Sequence, residues 1–392
     1  MTKLQQSIML VKHIATGLMI PILSVLLLQK GATMQTLPLL FATFSVTVAC
    51  MEVPSGIFAD MYGRKKVFIM SCVLQIIAVS LLFFAGNPGS MALAMVFFGS
   101  GRAFSSGSLD ALFIDQAMDR QGENILVKVT AQLAILEGVG FAAGSIAGGF
   151  IASVTNTYLS NLIVQFLLNI TLVLICLLFV QEQPAAHAEQ QRSLRDHLKE
   201  GKQLVLSSRR FILIFISVFV AGFAMSTVET YWQPTFANLS KMNNVAWALG
   251  LITFAGFITA ILGSTLGQML MDKFKGKWWI IYNICRTSLG VTFIIYALQE
   301  SISGFLTGYG VIYLFIGINS VAETTIINKW TPGRMRASVL SLSSLITQIG
   351  VLVASVLSSL LVVYLGVSGI WAISGILVGG YALILIFAVK DR

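Results

Sequence analysis

Residues 51–70 read Met51-Glu52-Val53-Pro54-Ser55-Gly56-Ile57-Phe58-Ala59-Asp60-Met61-Tyr62-Gly63-Arg64-Lys65-Lys66-Val67-Phe68-Ile69-Met70. An apolar run ends here in a short polar turn, and a second apolar run begins at once. Three consecutive cations, Arg64, Lys65 and Lys66, stand at the junction. Gly56 is small enough to let helices approach closely, and Gly63 permits a tight turn. Asp60 is an anion suited to a helix N-terminus. The flanking runs, 34–58 and 66–86, each exceed the roughly 20 residues that a helix needs to cross a bilayer core.

The same pattern continues in both directions. The chain has 392 residues, of which 56% are hydrophobic and only 10% charged. A soluble domain carries about 25% charged residues, so too little polar surface remains to wet a soluble fold. A disordered chain, a disulfide scaffold and a nucleic-acid binder are excluded on the same ground. The apolar residues form continuous blocks, whereas a membrane β-barrel shows alternating segments. An all-α integral membrane protein follows, because helices satisfy every backbone donor and acceptor within lipid. Twelve spans are expected at 5–29, 34–58, 66–86, 91–114, 126–153, 158–181, 210–233, 245–271, 278–298, 303–327, 338–362 and 368–388. The first is too long for a signal-peptide core.

A polar segment, 182–209, divides the spans six and six. The expected organisation is a bundle over 1–181, a linker over 182–209 and a bundle over 210–392. Leu194, Leu198 and Val205 fall near one face of 193–206, which fits an amphipathic helix on the membrane surface. With the N-terminus in the cytoplasm, twenty Lys and Arg fall on the cytoplasmic side, against Lys30 and Lys241 outside. Topology therefore accounts for the net charge of +9 without a nucleic-acid partner. Cys50, Cys72, Cys176 and Cys285 all lie in apolar spans and read as small buried hydrophobes. Their spacing suits no metal, and no nucleophile–base pair or phosphate loop is visible.

The run Gly56 to Lys66 resembles the loop signature of the major facilitator superfamily, G-x-x-x-D-x-x-G-R-[KR]-[KR], at the position that family gives it. The resemblance implies two six-helix bundles and a loop that latches the inner side. It implies that Asp60 docks on the eleventh helix and that Arg64 pairs with Asp115; Lys65 belongs to the same gating loop. Glu52-Val53-Pro54-Ser55-Gly56 is similar to the lead-in of a bacterial subset of the family. A looser echo follows span eight at Gly267 to Lys277, with longer spacing, as repeated halves would give. In span five, Gly140-x-x-x-Gly144-Ser145-x-x-Gly148-Gly149 is similar to the family's antiporter signature, with Ser145 in place of proline. Small residues at this spacing also serve plain helix packing. Arg102, followed by Gly107, resembles the fourth-helix signature with one residue more between arginine and glycine.

Charged side chains inside a span are costly and mark functional candidates. Glu137 and Arg102 are both central, on spans five and four, and are expected to share a cavity and couple proton or substrate movement. Glu52 would titrate or pair with Lys12 or His13. Asp110 and Glu323 lie at comparable inner-third depths of equivalent helices and suggest a pair of gate acids, with structural ion pairing as the favoured role and Arg286 as a partner for Glu323. Glu229, beside an interfacial belt of Tyr231 and Trp232, would help an outer gate or, the favoured reading, simply reach water. His13 is a further titratable candidate. Phe41, Phe44, Phe141, Phe223, Phe254 and Tyr282 are candidates for an apolar cavity, and Pro21 for a bend in span one.

These readings converge on a secondary transporter working by alternating access in a bacterial cytoplasmic membrane. It would have both termini cytoplasmic, act as a monomer and need no cofactor. Its partners would be a small-molecule substrate, protons and the lipid bilayer. Proton-coupled efflux of lipophilic or cationic drugs is the leading function, an expectation that leans on the span-five resemblance. Export of a specific metabolite or siderophore, proton-coupled uptake and a transport-dead membrane sensor remain open alternatives.

Overall fold

The computed structural model describes residues 1–106, 108–182, 208–274, 277–331 and 335–388. The amphipathic segment expected at 193–206, Lys390, Arg392 and the side chain of Asp60 lie outside that description. Among the described residues all regular structure is helical. Among the described residues eight helices are long and apolar enough to cross a membrane.

Packing divides the chain into two units, Met1–Gln190 with Met242–Phe254, and Gln191–Lys241 with Ala255–Arg392. Unit one holds α1 (Lys3–Gly17), α2 (Leu23–Gln29), α3 (Thr36–Tyr62), α4 (Arg64–Phe84), α5 (Pro88–Ser105), α6 (Ser108–Gln121), α7 (Leu126–Thr155) and α8 (Leu159–Phe179). Unit two is built on α9 (Arg209–Ser240), α10 (Ala246–Lys273), α11 (Trp278–Ala297), α12 (Ile302–Trp330) and α13 (Arg336–Ala388). The start of α10 groups with unit one because it runs against α7, where a Cβ on Gly149 would lie 2.7 Å from the Ala246 carbonyl oxygen.

Two expected spans are broken rather than continuous. Span one stops at Gly17 and resumes at Leu23, with Pro21 between. Proline offers no amide hydrogen and displaces the preceding turn, and the chain crosses the gap on tighter bonds such as Ile22 N–H to the Met19 carbonyl at 3.1 Å. Span four stops at Ser105, where Ser106 turns extended with ψ 125°. Conversely, spans eleven and twelve run together as α13, interrupted only where Gly366 takes φ 63°, a conformation that a Cβ disfavours.

Close backbone contacts repeat between the halves. In unit one, Gly144 of span five would put a Cβ 2.6 Å from the Ile14 carbonyl of span one. In unit two, Gly350 of span eleven would put one 2.3 Å from the Phe219 carbonyl of span seven. Spans two and four meet at Gly99, 2.7 Å by the same measure from the Phe44 carbonyl, and spans eight and ten meet at Gly317, 2.2 Å from that of Ala260. Spans nine and twelve meet at Gly290 and Gly375, whereas spans three and six meet through side chains of Phe68, Cys72, Leu172 and Cys176. Equivalent helices thus make equivalent pairs, as expected of a duplicated six-helix repeat. Gly56 departs from its expected role, since a Cβ there would meet nothing within 4 Å.

Candidate functional site

The loop after α3 turns on Gly63, whose φ of 92° lets α4 begin one residue later. The exposed amides at the start of α4 are taken by Glu182, which follows α8. Its carboxylate accepts from Arg64 N–H at 2.7 Å and Lys65 N–H at 3.0 Å. An anion here also complements the positive end of the helix dipole. The Arg64 guanidinium pairs with Asp115 on α6, and Lys65 Nζ donates to the Leu177 carbonyl at 3.2 Å. Four helices, α3, α4, α6 and α8, are thereby tied at one end of unit one. Sequence reading missed Glu182 because it begins a polar segment and resembles a solvated residue. At the opposite end of α4, Lys30 Nζ caps the Phe83 and Ala85 carbonyls at 2.8 and 3.2 Å, and burial holds its ammonium below the usual lysine range.

Beyond that loop, unit one holds a partly open cavity of about 220 Å³. Span breaks help to form it. Arg102 lies in the last turn of α5, where the chain breaks, so its cation sits near the negative end of that helix. Among the described residues, Arg102, Lys12 and His13 are its three cationic or basic lining residues, and no carboxylate lines it. Lys12 is matched from outside the lining by Asp110, at 3.1 Å. Arg102 has no ion pair among the described residues. Phe41, Phe44 and Phe141 line the apolar part, and the Phe141 ring meets His13 edge-on at 5.2 Å. Gln165, only 4% exposed, also lines it, and its Oε1 has no hydrogen-bond partner among the described residues.

Among the described residues of α7 only Phe141 lines the cavity; the glycine face of that helix serves close packing. Gly140 and Gly148 meet His13 and Leu18, and Asn161 Nδ2 clasps the Leu18 and Gly148 carbonyls at 3.1 and 2.9 Å. Ser145 is fully buried and donates to the Ala142 carbonyl within its own helix. Gly140, Gly144, Gly148 and Gly149 therefore act as contact points that hold spans one, five and eight together.

Unit two carries its own polar cluster. Arg286 donates to Glu323 at 2.6 Å, the pairing the sequence suggested, and to the Tyr282 hydroxyl at 3.1 Å. Tyr282 in turn donates to Glu323 at 3.0 Å and shares a hydrogen bond with Ser217 at 2.7 Å. The guanidinium also lies 5.2 Å from the Tyr282 ring centroid, within range of a cation–π contact. Tyr282, a cavity candidate by sequence, is thus a buried member of an ionic network. Phe223 is likewise core.

Several other positions differ from the sequence expectation. Glu137 is half-buried on α7 and is not among the residues lining the cavity with Arg102. Lys12 takes Asp110 as its partner, not Glu52, which is exposed. Tyr231 and Trp232 are core residues, 0% and 1% exposed, so they form no interfacial belt. Glu229 accepts from the Tyr313 hydroxyl instead of simply reaching water. Cys50 is exposed while the other three cysteines are buried.

A family model described as Major Facilitator Superfamily matches residues 7–266 and 246–392. The chain belongs to the Major Facilitator Superfamily. It is accordingly an integral membrane transporter and not an enzyme. Among superfamily relatives it is 24% identical over 368 residues to the uncharacterized MFS-type transporter YxaM of Bacillus subtilis, covering 92% of this chain and 89% of that one. It is 22% identical over 316 residues to the multi-drug resistance efflux pump PmrA homolog of Lactococcus lactis, covering 79% and 74%. A crystal structure of the nucleoside transporter NupG superposes with a TM-score of 0.82 at 15% identity, covering 98% of both chains. The superfamily fold is therefore shared at high coverage with little sequence in common.

Proposed function

We propose that this chain is a proton-coupled exporter of lipophilic small molecules, working by alternating access as a monomer in a bacterial cytoplasmic membrane with both termini inside. The observation that carries the reading is the partly open cavity of unit one, apolar for most of its lining and bearing the Arg102 guanidinium. A cation on a membrane-spanning segment that faces a cavity marks a functional site by default. Similarity to a protein named as a multi-drug efflux pump supports the outward direction. The gating loop is Gly56, Asp60, Gly63, Arg64 and Lys65, with Asp115 and Glu182 holding it in unit one.

Coupling falls to carboxylates at membrane depth. Asp110 and Glu323 each have a cation at ion-pair distance, 3.1 and 2.6 Å. Protonating either acid releases its cation, so proton binding and side-chain rearrangement are linked. Glu137, Glu52 and His13 remain candidates for the same role. The test uses everted membrane vesicles and ethidium, norfloxacin and 2-naphthoate as probes. An acidified interior drives accumulation of at least one probe if the reading holds. Accumulation only under the opposite gradient identifies an uptake symporter, and proton flux with none of the probes counts against small lipophiles as cargo.

A further inference from the structure

From the cavity of unit one, we infer that the ligand is an aromatic organic anion carrying a hydroxyl or N–H donor, bound by Arg102 and Gln165. Calling that ligand the cargo rests on the transport reading above; the binding chemistry does not. Charge decides the class. Lys12 and Asp110 cancel at 3.1 Å, which leaves Arg102 as the net charge facing the cavity. Among the described residues no Asp or Glu lines the space. A cationic ligand would enter against like charge and find no counter-ion. An anion would instead neutralise a guanidinium that has no ion pair among the described residues. A planar carboxylate suits a guanidinium especially well, because two parallel N–H donors meet two oxygens.

The remaining features add the rest of the ligand. Phe41, Phe44, Phe98 and Phe141 supply aromatic faces, which favour a flat ring over an aliphatic chain. Gln165 Oε1 is buried without a partner among the described residues and lines the space. A buried acceptor left unsatisfied is costly, and a donor on the ligand removes that cost. The volume of about 220 Å³ has room for one or two fused rings.

The lining thus favours lipophilic anions over lipophilic cations as ligands. The test measures binding by calorimetry to the full chain in lipid nanodiscs, with no gradient present. The probes are 2-naphthoate, 2-naphthylmethylammonium and 6-hydroxy-2-naphthoate. The naphthoate is expected to bind at least about tenfold more tightly than the ammonium of the same ring, the value of one charge-assisted hydrogen bond. Arg102→Gln abolishes that preference, Arg102→Lys keeps most of it, and the hydroxyl's gain in affinity disappears in Gln165→Leu. Gel filtration and melting verify that each variant is folded. Equal affinity for the two charges, preference for the ammonium, binding of neither probe, or an unchanged preference in Arg102→Gln overturns the inference. Anion-selective binding without gradient-driven movement leaves the inference standing and removes the export reading. Gradient-driven movement of ethidium without anion-selective binding leaves the export reading standing and removes the inference.

Discussion

The ion pair between Arg286 and Glu323 makes the most quantitative prediction. The two groups lie 2.6 Å apart, with side chains 6% and 19% exposed. Removing one member of a buried pair strands the other's charge, at a cost of roughly 3–5 kcal/mol. Glu323→Gln belongs at the low end, about 3 kcal/mol, because Arg286 keeps the Tyr282 hydroxyl as an acceptor. Arg286→Met is at least as costly, since it leaves a carboxylate with Tyr282 as its remaining donor. The double variant Arg286→Met/Glu323→Leu removes both charges together with their desolvation costs. It should lose about 1 kcal/mol or less, which, against single losses of at least about 3 kcal/mol each, makes the coupling at least about 5 kcal/mol. Thermal unfolding of the three variants in one detergent reads this directly. At about 2–4 °C per kcal/mol for a unit of this size, Glu323→Gln should melt about 6–12 °C below the parent. The reasoning is refuted if Glu323→Gln melts with the parent, or if the double variant falls by the sum of the two single losses.

Glu182→Ala removes the cap from the first amides of α4 and should cost about 1 kcal/mol; faster amide exchange at Arg64 and Lys65 than in the parent checks it, and unchanged exchange there removes Glu182 from the loop's support. Gly144→Ala places a methyl group 2.6 Å from the Ile14 carbonyl and should cost about 1–3 kcal/mol by overpacking. Gly138→Ala, where a Cβ meets nothing within 4 Å, should be neutral or stabilising by up to about 1 kcal/mol; equal melting of these two variants contradicts the close-packing account. Glu137→Gln should leave naphthoate binding within about twofold of the parent, because Glu137 is not among the cavity-lining residues and remote substitutions shift local energies little. A tenfold loss would put that side chain in the site.

Much of the fold was legible because lipid leaves few choices. A long apolar run bounded by Lys and Arg is a spanning helix in almost any context, so the twelve spans could be read from residue type alone. The breaks in spans one and four were harder to read. Pro21 announced a bend but not its extent, and nothing near Ser106 distinguishes a broken helix from a continuous one containing small residues. The Arg286–Glu323 pair was foreseeable because two costly charges lay on neighbouring helices. Lys12 and Asp110 are 98 residues apart on helices whose adjacency the sequence does not state. Glu137 illustrates the general limit. Its position along the chain gives its depth in the membrane, but the direction its side chain faces depends on how α7 rotates to seat its glycines against α1. Gln165 is a plain amide in an apolar span, and only its burial beside an empty space marks it out.

The central claim is that the cavity of unit one opens to each side of the membrane in turn. The direct test introduces Ser105→Cys, a lining position, into a background with the four native cysteines replaced. The protein is reconstituted in vesicles and treated with a membrane-impermeant thiol reagent from either compartment. Alternating access predicts labelling from both sides, with 2-naphthoate slowing it. Reactivity from one side only, with and without ligand and under either gradient, contradicts the account.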